Sequence, residues 1–381
     1  MKTSIFFHTN IPSPYRQHQF ELIARVLPGA VFYFTETCNP ARPWKVGFDG
    51  WQCDCRLATP WMKVKALFLQ RWGTIHVLAY PGSRLYHRLL VFSGLIGHSK
   101  VVQWNDAGFE EIGSAWRRRG LFYRLWHLLW VRSFSAVYTA GVLGAKFAVA
   151  MGFDRRKVVN TYFSHDMDAF VRYRDEHYQE ARDAIRTKLQ IGPQDVSILN
   201  ISRYLDWKRL EDLAEALILT EKMNPECAAR LHLILIGDGE WKAHLPLLKQ
   251  LKIVRVHLIH QMPPDDVLAY YCAADLFAFP SEGDIWGLVV NEALSMGVPV
   301  VCCDCIGAAE LVQDGINGYR IKARSPEQMA QRIQEIAVDE KLRQCMAQAA
   351  LRIKDIWRTE LGIRSLLDYF GIEGEGGSLE I

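Results

Sequence analysis

Short apolar runs alternate with helical periodicity along the whole chain, and this rhythm constrains the fold more than any single motif does. A repeated order of strand, helix and strand is satisfied by a parallel sheet with helices on its faces. In the first half, strands are expected near 3–9, 30–35, 75–79, 100–104, 135–140 and 157–163, with helices near 15–27, 83–97, 117–132 and 142–151. A polar, charge-dense stretch at 172–188, followed by Gly192-Pro193, interrupts the pattern and marks the expected boundary. The rhythm then restarts, with strands at 196–202, 231–236, 254–259, 275–279 and 298–303 and a helical segment at 340–370. The expected fold class is α/β, with two doubly wound, Rossmann-like domains at 1–190 and 191–355 and a C-terminal helix with a frayed tail at 356–381. In open parallel sheets ligands sit beyond the carboxyl ends of the strands, so two such sheets are expected to face a central cleft that holds the site.

Composition narrows the class. Half of the 381 residues are hydrophobic and 23% are charged, which excludes collagen-like, coiled-coil and low-complexity chains. No apolar run reaches 18 residues, and the stretch 121–131 is broken by Arg124 and His127, so no membrane-spanning helix is expected. His8, Asn10, Pro12 and Pro14 stand where a signal peptide would need an apolar core, so a cytoplasmic protein is expected. The nine cysteines are irregularly spaced, and Cys302, Cys303 and Cys305 follow an apolar run, so they are expected as thiols of a core rather than a metal site. The net charge of +3 conceals an asymmetry: residues 1–180 hold 23 Lys and Arg against 13 Asp and Glu, whereas 181–381 hold 22 against 29. The first half is thus suited to an anionic partner.

Three segments of the second half carry chemistry. The first runs from Pro280 to Val300, leaving an apolar strand and opening a helix. Unpaired amides at a helix start carry partial positive charge, so those of Gly287, Leu288 and Val289 can hold a phosphate or a sugar hydroxyl. Glu292, two turns beyond Asp284, accepts hydrogen bonds only and suits a diol such as a ribose; the alternative is a solvated helix residue. The second is the turn after strand 196–202, where Arg203 and Lys208 can neutralise a departing diphosphate or can be ordinary basic turn residues. The third is Gly237-Asp238-Gly239, which lacks the third glycine of a dinucleotide fingerprint.

In this order the segments resemble the retaining family 4 glycosyltransferases of the GT-B fold. The resemblance rests on Arg203 with Lys208, Gly237 to Gly239, Tyr271-Cys272-Ala273-Ala274-Asp275 running to Pro280-Ser281, Asp284-x7-Glu292 running to Pro299-Val300, Gly307-Ala308-Ala309-Glu310, and Asp314-Gly315-Ile316-Asn317-Gly318. It spans about 196–322 and has two departures. Asp284 replaces a glutamate, one methylene shorter, with Glu282 as a neighbouring substitute; Ser202 replaces a glycine. The resemblance implies that Arg203 and Lys208 bind the donor diphosphate and stabilise its departure. It also implies that Glu292 holds the ribose, that Asp284 or Glu282 meets the sugar, that the amides of Gly287 to Val289 contact phosphate or sugar, and that Trp286 belongs to the donor site. The turn of Gly237 and Gly239 would border the donor, and the backbone near Leu258 and His260 would read the base. A divalent metal is not expected, because fixed cations and helix dipoles take its place. Asp166-Met167-Asp168 looks like the metal motif of the other glycosyltransferase fold but is read as a polar turn.

The first half offers fewer signals. Asn10, Ser13, Tyr15 and Arg16 follow the first strand and resemble the N-terminal turn of bacterial surface-polysaccharide members of this family, which implies acceptor binding. Asp106, at the end of the strand 100–104, can take the acceptor's proton or can cap a turn; His8 is a second candidate, more simply read as structural. The segment 116–132 mixes cations with large apolar rings. Arg117, Arg118, Arg124, Trp126 and Trp130 are candidates for contact with an anionic membrane, while a helix packed on the sheet accounts for the apolar side equally well. No nucleic-acid-binding module accompanies the basic charge.

The function expected from the sequence is therefore transfer of a sugar from a nucleotide diphosphate sugar, with UDP favoured over GDP, to a lipid-linked or saccharide hydroxyl. Surface-polysaccharide assembly is the expected setting, with peripheral contact to the inner face of the cytoplasmic membrane. A sugar-nucleotide epimerase or hydrolase of the same fold, and a non-catalytic membrane-associated binding module, are the alternatives.

Overall fold

The computed structural model describes residues 4–10, 12–36, 48, 50–59, 74–79, 85–95, 99–105, 120–161, 165–239 and 246–372. Two compact units result, Met1–Asp166 with Arg358–Ile381, and Met167–Trp357.

The first unit is built on seven parallel strands: β1 (Ile5–Thr9), β2 (Val31–Phe34), β3 (Asp54–Leu57), β4 (Ile75–Ala79), β5 (Lys100–Asn105), β6 (Ala136–Thr139) and β7 (Val158–Asn160), in the order β3-β2-β1-β4-β5-β6-β7. Alternate side chains of β1 face one side of the sheet, and Phe7 stands opposite Phe32 of β2 and Val77 of β4. Phe20, on the helix Pro14–Val26, stacks on Phe32, whose ring in turn stacks on Phe7. The last helix, Thr359–Phe370, adds Ile363, Leu366 and Leu367 to this same core. Its approach requires glycine at 362, where a β-carbon would stand 1.9 Å from the Thr161 carbonyl oxygen.

The second unit has six parallel strands: β8 (Val196–Ile201), β9 (Leu231–Gly237), β10 (Arg255–His260), β11 (Leu276–Phe279), β12 (Val300–Cys303) and β13 (Gly318–Ile321), in the order β10-β9-β8-β11-β12-β13. Strand β9 is buried along its whole length, as an interior strand covered on both faces must be, which is why its sequence is apolar apart from His232, whose ring is hydrogen-bonded to His257 and Asp195. Cys302 and Cys303 are buried in β12, and the Cys303 thiol donates to the Pro280 carbonyl, in keeping with core thiols.

Three elements depart from the sequence expectation. Strands β3 (DCRL) and β13 (GYRI) lie at sheet edges, where short polar strands carry no apolar run to reveal them. The charged stretch expected to separate the domains is the 22-residue helix Met167–Lys188, so the chain passes between units at 166 and 167 rather than near 190. Its buried face is small (Met167, Val171, Ala181, Ile185), and its anchor is ionic. Arg182 and Arg186 reach Asp275 at 2.6 and 2.9 Å. Burial alone would raise the Asp275 carboxyl, but Arg182, the Ser197 amide and Arg186 hold it below its ordinary value.

In each sheet the strand order reverses once, between β1 and β4 and between β8 and β11. Such reversals open a crevice beyond the carboxyl ends of the two strands, the usual place for a ligand in this architecture.

Candidate active site

In the second unit, the crevice between β8 and β11 is formed by two turns that interlock. After β8 the chain makes the short 3-10 turn Asp206–Lys208 and enters the helix Leu210–Met223 through Arg209, whose φ is +51°. After β11, the Glu282 amide and the Ser281 hydroxyl both donate to the Trp207 carbonyl, at 2.9 and 3.1 Å. Gly283 makes this approach possible, since a β-carbon there would meet Trp207 Cβ at 2.9 Å. The chain then turns through Gly287, at φ +93°, into the helix Leu288–Ser295, so the amides expected to meet an anion do open a helix.

The two residues with the sharpest expected roles meet here. Lys208 Nζ lies 2.6 Å from Asp284 Oδ2 and 4.9 Å from the centre of the Phe279 ring, with the two side chains 13% and 20% exposed. The cation expected for phosphate is therefore held by the carboxylate expected for sugar. Glu282 is engaged elsewhere: Arg324 binds both of its oxygens at 2.7 Å and holds its carboxyl below the ordinary range. Asp284 is thus the carboxylate that faces Lys208, despite its shorter reach. Arg203 is exposed on the turn after β8.

Glu292 is buried rather than solvated, only 6% exposed, and the Tyr271 hydroxyl donates to its Oε2 at 2.8 Å. Burial pushes its carboxyl up to about 7, with the tyrosine acting in the opposite sense. Trp286 is inside as well. Its ring stacks on Trp357 with centroids 5.1 Å apart, and its indole N–H donates to Asn291 Oδ1 at 2.7 Å. That side chain braces the turn, leaving backbone as what position 286 offers to a ligand.

The glycines of the Gly237-Asp238-Gly239 turn have a packing cause. A β-carbon at 237 would stand 1.8 Å from the Ser202 carbonyl oxygen, and Gly239 has φ +131° against Tyr204. They allow the turn after β9 to close on the turn after β8, where the Tyr204 amide donates to the Asp238 carbonyl. Leu258 and His260 stand on one face of the edge strand β10, both exposed, with β9 between them and β8.

The first unit holds the remaining candidates. Asn10 is exposed at the end of β1, and Ser13 precedes the helix Pro14–Val26, its carbonyl accepting from the Arg16 and Gln17 amides. Arg16 is buried, its guanidinium 4.6 Å from the Trp104 ring centre, which makes it part of the wall rather than an exposed hook. The side chain of Tyr15, along with Asp106, Arg117, Arg118 and the side chain of Arg124, lies outside the described residues. His8 is buried 3.1 Å from His76, and burial holds both imidazoles below their ordinary range, His76 at about 4. Neutral, interior rings of this kind agree with the structural reading of His8.

The helix Leu121–Arg132 turns His127 and Val131 inward, and His127 Nε2 meets the Met151 carbonyl at 2.8 Å. Trp130 is half-buried, edge-on to Phe134, whereas Leu125, Trp126, Leu128 and Leu129 are exposed. No helix among the described residues is long and apolar enough to cross a membrane. The described residues also contain no group of three His, Cys, Asp or Glu placed to hold a metal ion. Asp166 is paired with His18 at 3.2 Å.

Sequence reasoning assigned no role to Tyr271, Trp207 or Arg324. Tyr271 belongs to a quoted motif, but only the fold brings its hydroxyl to Glu292, 21 positions away.

Residues 181–352 match the family model described as glycosyl transferases group 1. N-acetyl-alpha-D-glucosaminyl L-malate synthase of Bacillus anthracis is 29% identical over 189 residues, which cover 49% of this chain and 48% of that protein. D-inositol 3-phosphate glycosyltransferase of Corynebacterium aurimucosum is 30% identical over 137 residues, 34% of this chain and 32% of that one. The chain thus matches about half or less of the length of these curated relatives. Among solved structures, Anabaena Alr3699/HepE in complex with UDP has a TM-score of 0.72 at 16% identity, covering 97% of this chain and 100% of that one. WaaG, a glycosyltransferase involved in lipopolysaccharide biosynthesis, has a TM-score of 0.61 at 17% identity, covering 98% and 100%. The two Rossmann-like units are those of the GT-B fold, and the match to the group 1 glycosyl transferase model falls on the second unit.

Proposed function

We propose that this chain is a glycosyltransferase that moves a sugar from a nucleotide diphosphate sugar, UDP-sugar in preference to GDP-sugar, to a hydroxyl of a lipid-linked or saccharide acceptor, with retention at the anomeric carbon. The observation that carries this reading is the convergence of Lys208, Asp284 and the amino end of the helix Leu288–Ser295 where the strand order reverses at β8 and β11. The UDP and UDP-glucose bound by Anabaena Alr3699/HepE favour a uridine donor.

Donor binding has a definite electrostatic sequence. The diphosphate replaces Asp284 as the partner of Lys208, and the released carboxylate becomes free to accept from a sugar hydroxyl. Arg203 and the amides of Gly287, Leu288 and Val289 supply further positive potential. As the bond between the anomeric carbon and the phosphate oxygen breaks, charge grows on the diphosphate, so contacts from fixed donors strengthen in the transition state. The acceptor oxygen forms the new bond. These fixed groups make a divalent metal unnecessary for the charge, and Asp106 is the candidate recipient of the acceptor's proton.

Surface-polysaccharide assembly at a membrane is the proposed setting. The exposed Leu125, Trp126, Leu128 and Leu129, ending at Arg132, form a surface suited to the headgroup region of an anionic bilayer. The test is donor turnover with and without acceptor. Consumption that requires an acceptor, and that Lys208→Met lowers by about 10²–10³, supports transfer; consumption without acceptor would make the chain a hydrolase or epimerase.

A further inference from the structure

We propose that Tyr271 is the positioning residue for recognition of the nucleoside's ribose: its hydroxyl fixes one oxygen of the Glu292 carboxylate, leaving the other to accept from the ligand's diol. The inference rests on the donor-site reading above and assigns a second residue to it.

Glu292 sits in surroundings that make little sense for a residue of fold stability alone. Its side chain is buried on a helix whose residues 290–295 are all buried, and among the described residues no cation pairs with it. Two influences act on its titration: burial, which favours the neutral acid, and the Tyr271 hydrogen bond, which favours the carboxylate. Arg174, on the helix Met167–Lys188, donates instead to the Met296 carbonyl beyond the helix end. Glu310 on the turn Gly307–Leu311, Glu340, Lys341 and Arg343 on the helix Glu340–Ala350, and Lys354 and Asp355 on the short helix Ile353–Ile356 are charged groups of neighbouring elements, and none is among those that shift Glu292. A buried carboxylate without a cation is unfavourable unless hydrogen-bond donors complete its shell, and a ligand with two adjacent hydroxyls brings them.

The hydrogen bonding is divided accordingly. Oε2 receives the Tyr271 hydroxyl at 2.8 Å, and among the described residues the carboxylate takes no other hydrogen bond. The tyrosine itself has little freedom. It is fully buried on the helix Pro264–Ala273, with its ring 6.0 Å from that of Phe277 in β11. A rigid donor on one oxygen removes the rotation of the carboxylate about its last bond, and so presents the other oxygen in a single direction. Ribose then gains over deoxyribose because the 2′-hydroxyl completes a carboxylate that is already oriented.

Calorimetry with UDP and 2′-deoxy-UDP between pH 6 and 8 tests this, on the wild type, Tyr271→Phe and Glu292→Gln. The wild type is expected to prefer UDP by about tenfold or more, the range for a hydrogen bond to a charged group, and to bind more tightly as pH rises. Tyr271→Phe keeps the ring and its packing. It should bring the UDP preference toward unity and move the midpoint of the pH dependence upward, because the group that favours the carboxylate is gone. Glu292→Gln should lose both the preference and the midpoint. A merely structural tyrosine would weaken both nucleotides alike, so Tyr271→Phe with the wild-type preference and midpoint overturns the proposal. A wild type that binds UDP and its deoxy analogue equally overturns it too, while leaving the donor site standing. Absence of binding by UDP and GDP alike removes the donor-site reading and this inference with it.

Discussion

Replacing Lys208 by Met separates the two partners that the structure assigns to this cation. Methionine preserves the apolar stem beside the Phe279 ring and removes the ammonium that stands 2.6 Å from Asp284. In the ligand-free protein the loss is that of an ion pair whose side chains are 13% and 20% exposed. Such a pair lies between an exposed one, worth up to about 1 kcal/mol, and a buried one, whose disruption costs about 3–5 kcal/mol; a stability loss of about 1–2 kcal/mol is expected. Turnover should fall much further, by about 10²–10³, because a charged donor to the departing diphosphate is missing when charge is greatest. The double variant Lys208→Met with Asp284→Asn distinguishes the effects, since a neutral amide no longer needs the cation. Thermal unfolding should show stability largely regained, whereas donor turnover stays low. Recovery of turnover in the double variant would mean that Lys208 only neutralises Asp284, and turnover of Lys208→Met within a few-fold of wild type would refute its role at the diphosphate.

Three further perturbations probe separate parts of the molecule. Because burial raises the Glu292 carboxyl to about 7 and the diol is best accepted by the ionised form, UDP affinity should fall about tenfold from pH 8 to pH 6; affinity that is flat over this interval contradicts the ribose contact. Trp126→Ser with Leu129→Ser changes side chains that are 56% and 47% exposed, so thermal stability should stay within about 0.5 kcal/mol while sedimentation with anionic vesicles declines. Unchanged vesicle binding would remove the membrane from the account. Gly237→Ala places a β-carbon 1.8 Å from the Ser202 carbonyl, and the required backbone movement should destabilise the second unit by about 1–3 kcal/mol, which denaturant titration would measure.

The parallel sheets were legible because interior strands such as β9 are predominantly apolar runs, a pattern that burial on both faces imposes. The edge strands β3 and β13 were not, since neither must be apolar to pair on one side. The helix Met167–Lys188 was hidden for a related reason: two arginines converging on Asp275 do much of the anchoring that an apolar stripe does elsewhere, and that convergence spans some 90 positions. At the candidate site, residue types and spacing pointed to Lys208, Asp284 and Glu292, but not to the state in which each is held. Only the fold pairs Lys208 with Asp284, commits Glu282 to Arg324, buries Glu292 beneath Tyr271 and turns the Trp286 ring onto Trp357. Each is a contact between residues on different elements, which local sequence does not encode.

The central claim is that the crevice at β8 and β11 binds a nucleotide diphosphate through Lys208, the helix amides and Glu292. Calorimetric titration of UDP, GDP and ADP into the wild type and Glu292→Ala tests it most directly. The account predicts that one nucleotide, UDP, binds with clear preference and that Glu292→Ala, while still folded, weakens this binding about tenfold or more. Absence of binding by all three, or an affinity that Glu292→Ala leaves unaltered, would contradict it.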